Sequence, residues 1–345
     1  MDVVELTRAL VRIPSVSGHE ERCVALLREM LAGAAVVGRN VFAVRGSGED
    51  TLLLNSHTDT VPASPEWTID PHGAALLDGK VRGLGANDAK GPLAALVCAF
   101  LRARVPARGR LVLAATCDEE TGGDGLGTLL PSLPDVSASI IGEPTELLAC
   151  SCQRGLLRLR LVARGKRAHA ARPWQGENAI EKAARDVTRL AGLPLPVHAL
   201  LGTATVQVTM IRGGVRTNVV PPECTLEVDA RTVPELDNRA LFERVRGLVE
   251  SEVDLVSERI APVETPASSR IVRAALAATG QATPRAFGGV SDLFHVRAAP
   301  GIVLGPGRSE QSHAADEWIE TEQLERGVEV YGRVIAGYFD GASGA

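Results

Sequence analysis

The sequence predicts an α/β protein: a mostly parallel sheet covered by helices on both faces, interrupted by a smaller ferredoxin-like domain. Three observations carry this expectation. In the first half, short apolar runs such as Leu52-Leu53-Leu54 and Leu111-Val112-Leu113-Ala114-Ala115 alternate with helical stripes. Strands buried on both faces and joined by crossover helices read this way. Near residue 154 the pattern changes: Leu157, Leu159, Leu161 and Ala163 alternate with Arg158, Arg160, Val162 and Arg164. That is a strand with one solvated face. After about residue 264 the chain returns to helices and short strands.

The elements follow in order. Leu6, Leu10 and Ile13 form a helical stripe that Pro14 closes, because proline cannot continue a helix. Leu26, Leu27, Met30 and Leu31 form a second. A buried strand at 52–54 precedes an apolar helix at 92–101, and further strands fall at 111–115 and at Ile140-Ile141. The middle segment then reads as a strand at 157–163, a helix near 177–192, strands at 203–211 and 223–231, a helix near 237–251 and a strand near 253–261. This β-α-β-β-α-β order is the ferredoxin-like arrangement. It leaves one sheet face or edge open, which suits dimerisation. The expected boundaries are 1–154 with 264–345 for a discontinuous larger domain, and 155–263 for the inserted one.

Composition narrows the class. A chain of 345 residues, 45% hydrophobic and 23% charged, is of ordinary globular type. A net charge of −5 argues against a general nucleic-acid binder. No stretch approaches roughly 18 apolar residues, so no membrane helix is expected. The start, Met1-Asp2-Val3-Val4-Glu5, carries acids where a signal peptide would carry Lys or Arg. A cytoplasmic location follows as the expectation. Cys23, Cys98, Cys117, Cys150, Cys152 and Cys224 show no paired CxxC spacing and read as free, mostly buried thiols.

Chemistry concentrates in five short islands: His57-Thr58-Asp59, Asn87-Asp88-Ala89-Lys90-Gly91, Asp118-Glu119-Glu120, Gly142-Glu143-Pro144 and Ser312-His313. Imidazole and carboxylate donors without cysteine suit a hydrolytic metal site rather than a structural zinc clip. Each island also has a plainer reading. Asp88 stands where a helix N-cap would, His57 and Asp59 could be a surface pair, and Glu119-Glu120 could be an exposed acidic loop. Two adjacent carboxylates are costly unless a cation holds them or one is protonated. Gly122, Gly123, Gly125 and Gly127 could mimic a phosphate loop, but the acids crowding them would repel phosphate.

Taken in order and spacing, the islands resemble the M20 metallopeptidase family, in the branch of acetylornithine deacetylase, succinyl-diaminopimelate desuccinylase and the carrier-protein lysine/ornithine hydrolases. The resemblance covers essentially the whole chain, including Ile13-Pro14-Ser15-Val16-Ser17-Gly18 and Gly288-Gly289-Val290-Ser291-Asp292. It implies two divalent ions, Zn²⁺ or Co²⁺, in a catalytic domain, and a homodimer built through the inserted domain. Asp88 would bridge the ions, His57 and Glu143 would hold one, and Glu120 and His313 the other. Asp59 would orient His57, and Glu119 would serve as general base and acid. His169, in the inserted domain, would donate to the oxyanion in the partner subunit's site. Arg154, Asn218 and Arg231 would anchor substrate, although Arg231 could instead pair with Asp229. Leu84 and Val290 depart from the Arg and Thr that relatives often carry there; neither removes a ligand or the base. His19, His72, His198 and His295 are expected to play no part in the chemistry.

The segment 85–95 and the compact length look most like the hydrolases that free lysine or ornithine from the γ-glutamyl end of an acidic amino-group carrier protein, in lysine or arginine biosynthesis. Residues 154–172 hold Arg154, Arg158, Arg160, Arg164, Lys166, Arg167 and Arg172 and no acid. Such a run could steer an acidic partner, or could be a solvated strand face. Two other substrate readings stand beside the carrier conjugate: an N-acyl amino acid such as acetylornithine, and a di- or tripeptide.

Overall fold

Parallel pairing runs through the middle of the larger sheet. A computed structural model describes residues 1–341 of the chain; positions 342–345 of the expected 264–345 segment lie outside them. The sheet order is Ala35–Val37, Asn40–Arg45, Gly109–Thr116, Asp50–His57, Ala138–Ile141, Gly301–Val303 and Cys150–Gln153. The strands from Gly109–Thr116 to Gly301–Val303 pair in parallel. Antiparallel strands flank them on both sides. Leu52, Leu54, Leu111 and Leu113 share one apolar core with helices Val3–Val11, Lys90–Arg102, Arg270–Thr279 and Thr321–Asp340. The alternate residues Leu53 and Val112 are just as buried. On the opposite face lie shorter pieces, the helix Gly125–Leu129 and the 3-10 turn Asp292–Val296, which pack on Gly109–Thr116 and Ala138–Ile141. Helix Lys90–Arg102 is buried over nearly all its length, which explains its continuous apolar sequence.

The chain divides into two units: Met1–Cys152 with Thr265–Phe287 and the residues from Ser291 onward, and Gln153–Glu264 with Gly288–Val290. The second unit is a four-stranded antiparallel sheet in the order Thr205–Gly213, Glu223–Thr232, Gly155–Arg164, Glu252–Ile260. Helices Ala179–Ala191 and Asn238–Leu248 pack Ala183, Leu190, Leu241 and Val245 against Leu157, Leu159, Leu161, Leu226 and Val228. Asn178 and Asp237 cap these helices through their side chains, a device worth about 1 kcal/mol each. The hairpins Ala35–Val37/Asn40–Arg45 and Ala75–Leu77/Lys80–Arg82 were not legible in the sequence. Their strands are short and partly exposed, so they carry little apolar signal. All six cysteines are buried and free.

Candidate metal centre

The islands meet where the parallel strands end. His57 closes its strand beside Thr116 in register, and Glu143 follows Ile141 of the next strand. Open α/β sheets gather ligands at these carboxyl ends. His57 is fully buried. Its Nδ1 lies 3.0 Å from the Asp59 backbone carbonyl, and 3.4 Å from the Asp59 carboxylate. A carbonyl only accepts, so Nδ1 carries the proton and Nε2 faces the site. Nε2 is 3.3 Å from Asp88 Oδ1 and 4.0 Å from Glu143 Oε2.

Asp88 looks both ways. Its Oδ1 faces His57, while its Oδ2 lies 3.9 Å from His313 Nε2. His313 Nε2 is in turn 2.8 Å from Glu120 Oε2. Helix Lys90–Arg102 has no side-chain cap, so the capping role is not what the Asp88 carboxylate performs. Donor atoms of His57, Asp88 and Glu120 all lie within 4.8 Å of one another. The five residues thus form a chain of neighbours, Glu143 to His57 to Asp88 Oδ1 on one side and Asp88 Oδ2 to His313 to Glu120 on the other.

The electrostatics favour bound cations. Burial pushes the Glu119 carboxyl well up, and Asp292, Glu120 and Asp88 push it further, against the opposing pull of His57. Glu143 is likewise raised by burial and by Glu119, Asp88 and Glu120, again against His57. His57 moves well above its ordinary value: burial opposes its charge, but Asp59, Asp88 and Glu143 outweigh burial. His313 rises to about 8, chiefly through its hydrogen bond to Glu120. Carboxylates packed this closely are an electrostatic mould for divalent cations. The oxygen and nitrogen donors suit zinc, cobalt or manganese.

Supporting residues hold the site, and Glu317 among them was not visible in the sequence. The Asp59 carboxylate accepts the backbone N–H of Glu119 (3.2 Å) and of Glu120 (3.1 Å) and the Ser17 hydroxyl (2.7 Å). Its carboxylate therefore serves the 119–120 turn more closely than it serves His57. Buried Glu317 accepts N–H groups from Gly85, Asn87 and Asp88 at 2.7–2.9 Å. It clamps the loop that presents Asp88. Asp292 takes a hydrogen bond from Thr116 and is pushed up to about 6, first by burial. Glu317 lies 229 residues from Asp88 in sequence, so no local pattern could have revealed it. The glycines after Glu120 close a tight turn rather than cradle phosphate. Gly122 has φ +61°, and a Cβ on Gly125 would meet the Cys117 carbonyl at 2.0 Å.

The inserted unit holds the remaining candidates. His169 is exposed and pairs with Val219 across a two-residue ladder, next to exposed Asn218. His169 Nδ1 accepts from the Ala171 N–H at 3.1 Å, which leaves Nε2 as the outward nitrogen. Arg154 is engaged by its own unit, donating to the carbonyls of Thr203 (2.8 Å) and Leu201. Arg231 pairs with Asp229 at 2.8 Å. Here Arg231 takes the ion-paired alternative to substrate anchoring, because the two side chains sit two apart on the same strand face. Part of the basic run is ion-paired. Arg160 pairs with Glu227 at 3.0 Å, Arg164 with Glu223 and with Glu252 at 3.4 Å, and Arg158 lies opposite Asp229 in register. At Arg160 and Arg164 it is an ion-paired strand face.

Residues 53–337 match the model of peptidase family M20/M25/M40. The chain is similar to a succinyl-diaminopimelate desuccinylase of Cereibacter sphaeroides, 33% identical over 98% of this chain and 99% of that protein. It is also similar to an acetylornithine deacetylase of Myxococcus xanthus, 31% identical over 91% of this chain and 88% of that one. Among solved structures, an aminopeptidase from Bacillus cereus superposes with a TM-score of 0.80 at 20% identity, covering 97% and 98% of the two chains. A dinuclear metal-binding peptidase from Bacillus subtilis gives 0.75 at 17% identity, covering 96% of each.

Proposed function

This chain belongs to peptidase family M20/M25/M40, and within that family of amidohydrolases we propose a two-metal enzyme that releases lysine or ornithine from the γ-glutamyl end of an acidic carrier protein. One observation supports the two-metal part: Asp88 turns Oδ1 to His57, whose Nε2 lies 4.0 Å from Glu143, and Oδ2 toward His313, whose Nε2 lies 2.8 Å from Glu120. Zinc or cobalt bound there would polarise the scissile carbonyl and acidify a water. Glu119 takes the proton from the attacking water and returns it to the leaving amine. Burial holds its carboxyl above the ordinary range, the direction a proton-donating carboxylic acid needs. His169, from the inserted unit of a second copy, is proposed as the oxyanion donor through Nε2. Asn218 beside it, with Arg154 and Arg231, is proposed to meet the substrate's polar groups. For the arginines this requires exchange of their present partners.

The carrier reading rests on the likeness of segment 85–95 to the carrier-protein lysine/ornithine hydrolases. The desuccinylase and deacetylase relatives favour a second reading, a small N-acyl group on a diamino acid. The buried, free cysteines agree with a cytoplasmic setting, and no described helix is long and apolar enough to cross a membrane. The test is a substrate panel on cobalt- or zinc-loaded protein: carrier-linked lysine, acetylornithine, succinyl-diaminopimelate and a set of dipeptides. Fastest turnover of the carrier conjugate is expected. Brisk acetylornithine or succinyl-diaminopimelate cleavage with an inert conjugate would select the small-acyl reading, and dipeptide cleavage alone would exclude both.

A further inference from the structure

The turn Asp118–Glu120 carries both the proposed base and a proposed ligand, and it is strained. Asp118 adopts a left-handed conformation, φ +60°, which a residue with a side chain holds only when its surroundings impose it. Asp59 fixes one side of the turn through the Glu119 and Glu120 N–H groups. The other side is fixed by residues far away in sequence. Arg39 donates to Glu20 at 2.6 Å and to Asp118 at 2.5 Å. Glu20 is completely buried. Its other oxygen accepts the N–H of Gly18 at 2.9 Å and of Asp118 at 3.3 Å. Next to Arg39, buried Asn40 accepts the Cys117 N–H at 3.0 Å and donates to the Gly125 carbonyl at 3.1 Å.

The opening motif closes the ring. Ser15 donates to the Thr58 carbonyl at 2.7 Å, Ser17 N–H to the Thr60 carbonyl at 3.2 Å, and Ser17 Oγ to Asp59 at 2.7 Å. Segment 15–20 is thus a strap from the His57–Asp59 strand end to Glu20, and Glu20 hands over to Arg39 and Asp118. A planar guanidinium forks across two carboxylates; an ammonium cannot span both. Gln cannot supply the charge that a buried carboxylate needs.

We propose that Arg39 and Glu20 are positioning residues that hold the Asp118–Glu120 turn, so that Glu119 and Glu120 project into the metal centre. This rests on the function proposed above. The test uses metal-loaded Arg39→Gln, Arg39→Lys and Asp118→Asn enzymes. Arg39→Gln is expected to lower kcat about 10–100-fold, the scale seen when supporting partners of a metal site are removed, with KM within about twofold. Arg39→Lys recovers part of the loss. In a Glu119→Gln background Arg39→Gln costs clearly less than in the wild type, because the base it aims is gone and only its hold on Glu120 still counts.

An unchanged kcat, or a loss that multiplies in the Glu119→Gln background as a general folding defect would, overturns the proposal. Should Arg39→Gln not fold, Asp118→Asn breaks the same link while leaving the Arg39–Glu20 pair. If the wild type turned over no acylated amino acid or peptide, the functional reading would fall instead. Cobalt titration then decides the positioning claim alone. Weaker cobalt binding in Arg39→Gln, about tenfold or more through displaced Glu120, supports it, and wild-type binding refutes it.

Discussion

Charge is dense in two places, and the two behave oppositely. At the carboxyl ends of the parallel strands, Asp88, Glu119, Glu120, Glu143 and Asp292 crowd around His57, and several of them push one another's pKa upward. On the open face of the inserted sheet, Arg160 and Arg164 pair with Glu227 and Glu223 across the strands and cancel. Charge density alone therefore says little. What marks a site is charge that the fold leaves uncompensated, half-buried, at the end where ligands gather.

The largest expected effect lies in the first region. Glu119→Gln should lower kcat by about 10²–10⁴-fold, the range for losing a general base, while metal content by elemental analysis stays at the wild-type value. Next comes the clamp behind Asp88. Glu317→Gln replaces one acceptor oxygen by an N–H donor facing the backbone donors of Gly85, Asn87 and Asp88. Metal affinity, measured by competition with a chelating dye, should fall about 10–100-fold.

The sequence pointed to the candidate ligands but not to their supports. His57, Glu120 and Glu143 end or follow apolar strand runs, and Asp88 opens an apolar helix, so both patterns pointed at the same sheet edge. Asp59 was found from its spacing to His57, though its backbone carbonyl turned out to be the nearer partner. Glu317, Arg39 and Glu20 act across long stretches of chain through backbone N–H groups and buried ion pairs. Such contacts leave no periodicity behind. In the inserted unit the alternating strand was plain from sequence. Its neutralisation was not, because cross-strand register decides which acid meets which arginine.

A smaller effect concerns pH. In the metal-free protein Asp292 sits at about 6, and Glu317 at about 8, pushed up first by burial. His313 is raised to about 8 by Glu120. All three bind protons more tightly folded than unfolded, so their contribution is present at low pH and is lost as pH rises through the folded values. Asp59 and Asp88 are lowered instead, and matter only as pH falls below the ordinary carboxylate range. The Tm of chelated protein should therefore fall between about pH 5 and 8. Metal loading should flatten that slope and release protons, seen by calorimetry in buffers of different ionisation enthalpy. The smallest effect belongs to the second region. Arg160→Ala or Glu227→Ala breaks a partly exposed pair. Each should cost no more than about 1 kcal/mol by chemical denaturation, with kcat unchanged.

The central claim is that Asp88 joins two metal sites. Titrating chelated protein with Co²⁺, followed by d–d absorption and hydrolysis in the same sample, tests it most directly. Two equivalents per chain are expected for the wild type, with Asp88→Asn weakening both. Saturation at a single equivalent, or an Asp88→Asn protein that still binds two with unchanged affinity, would contradict the account.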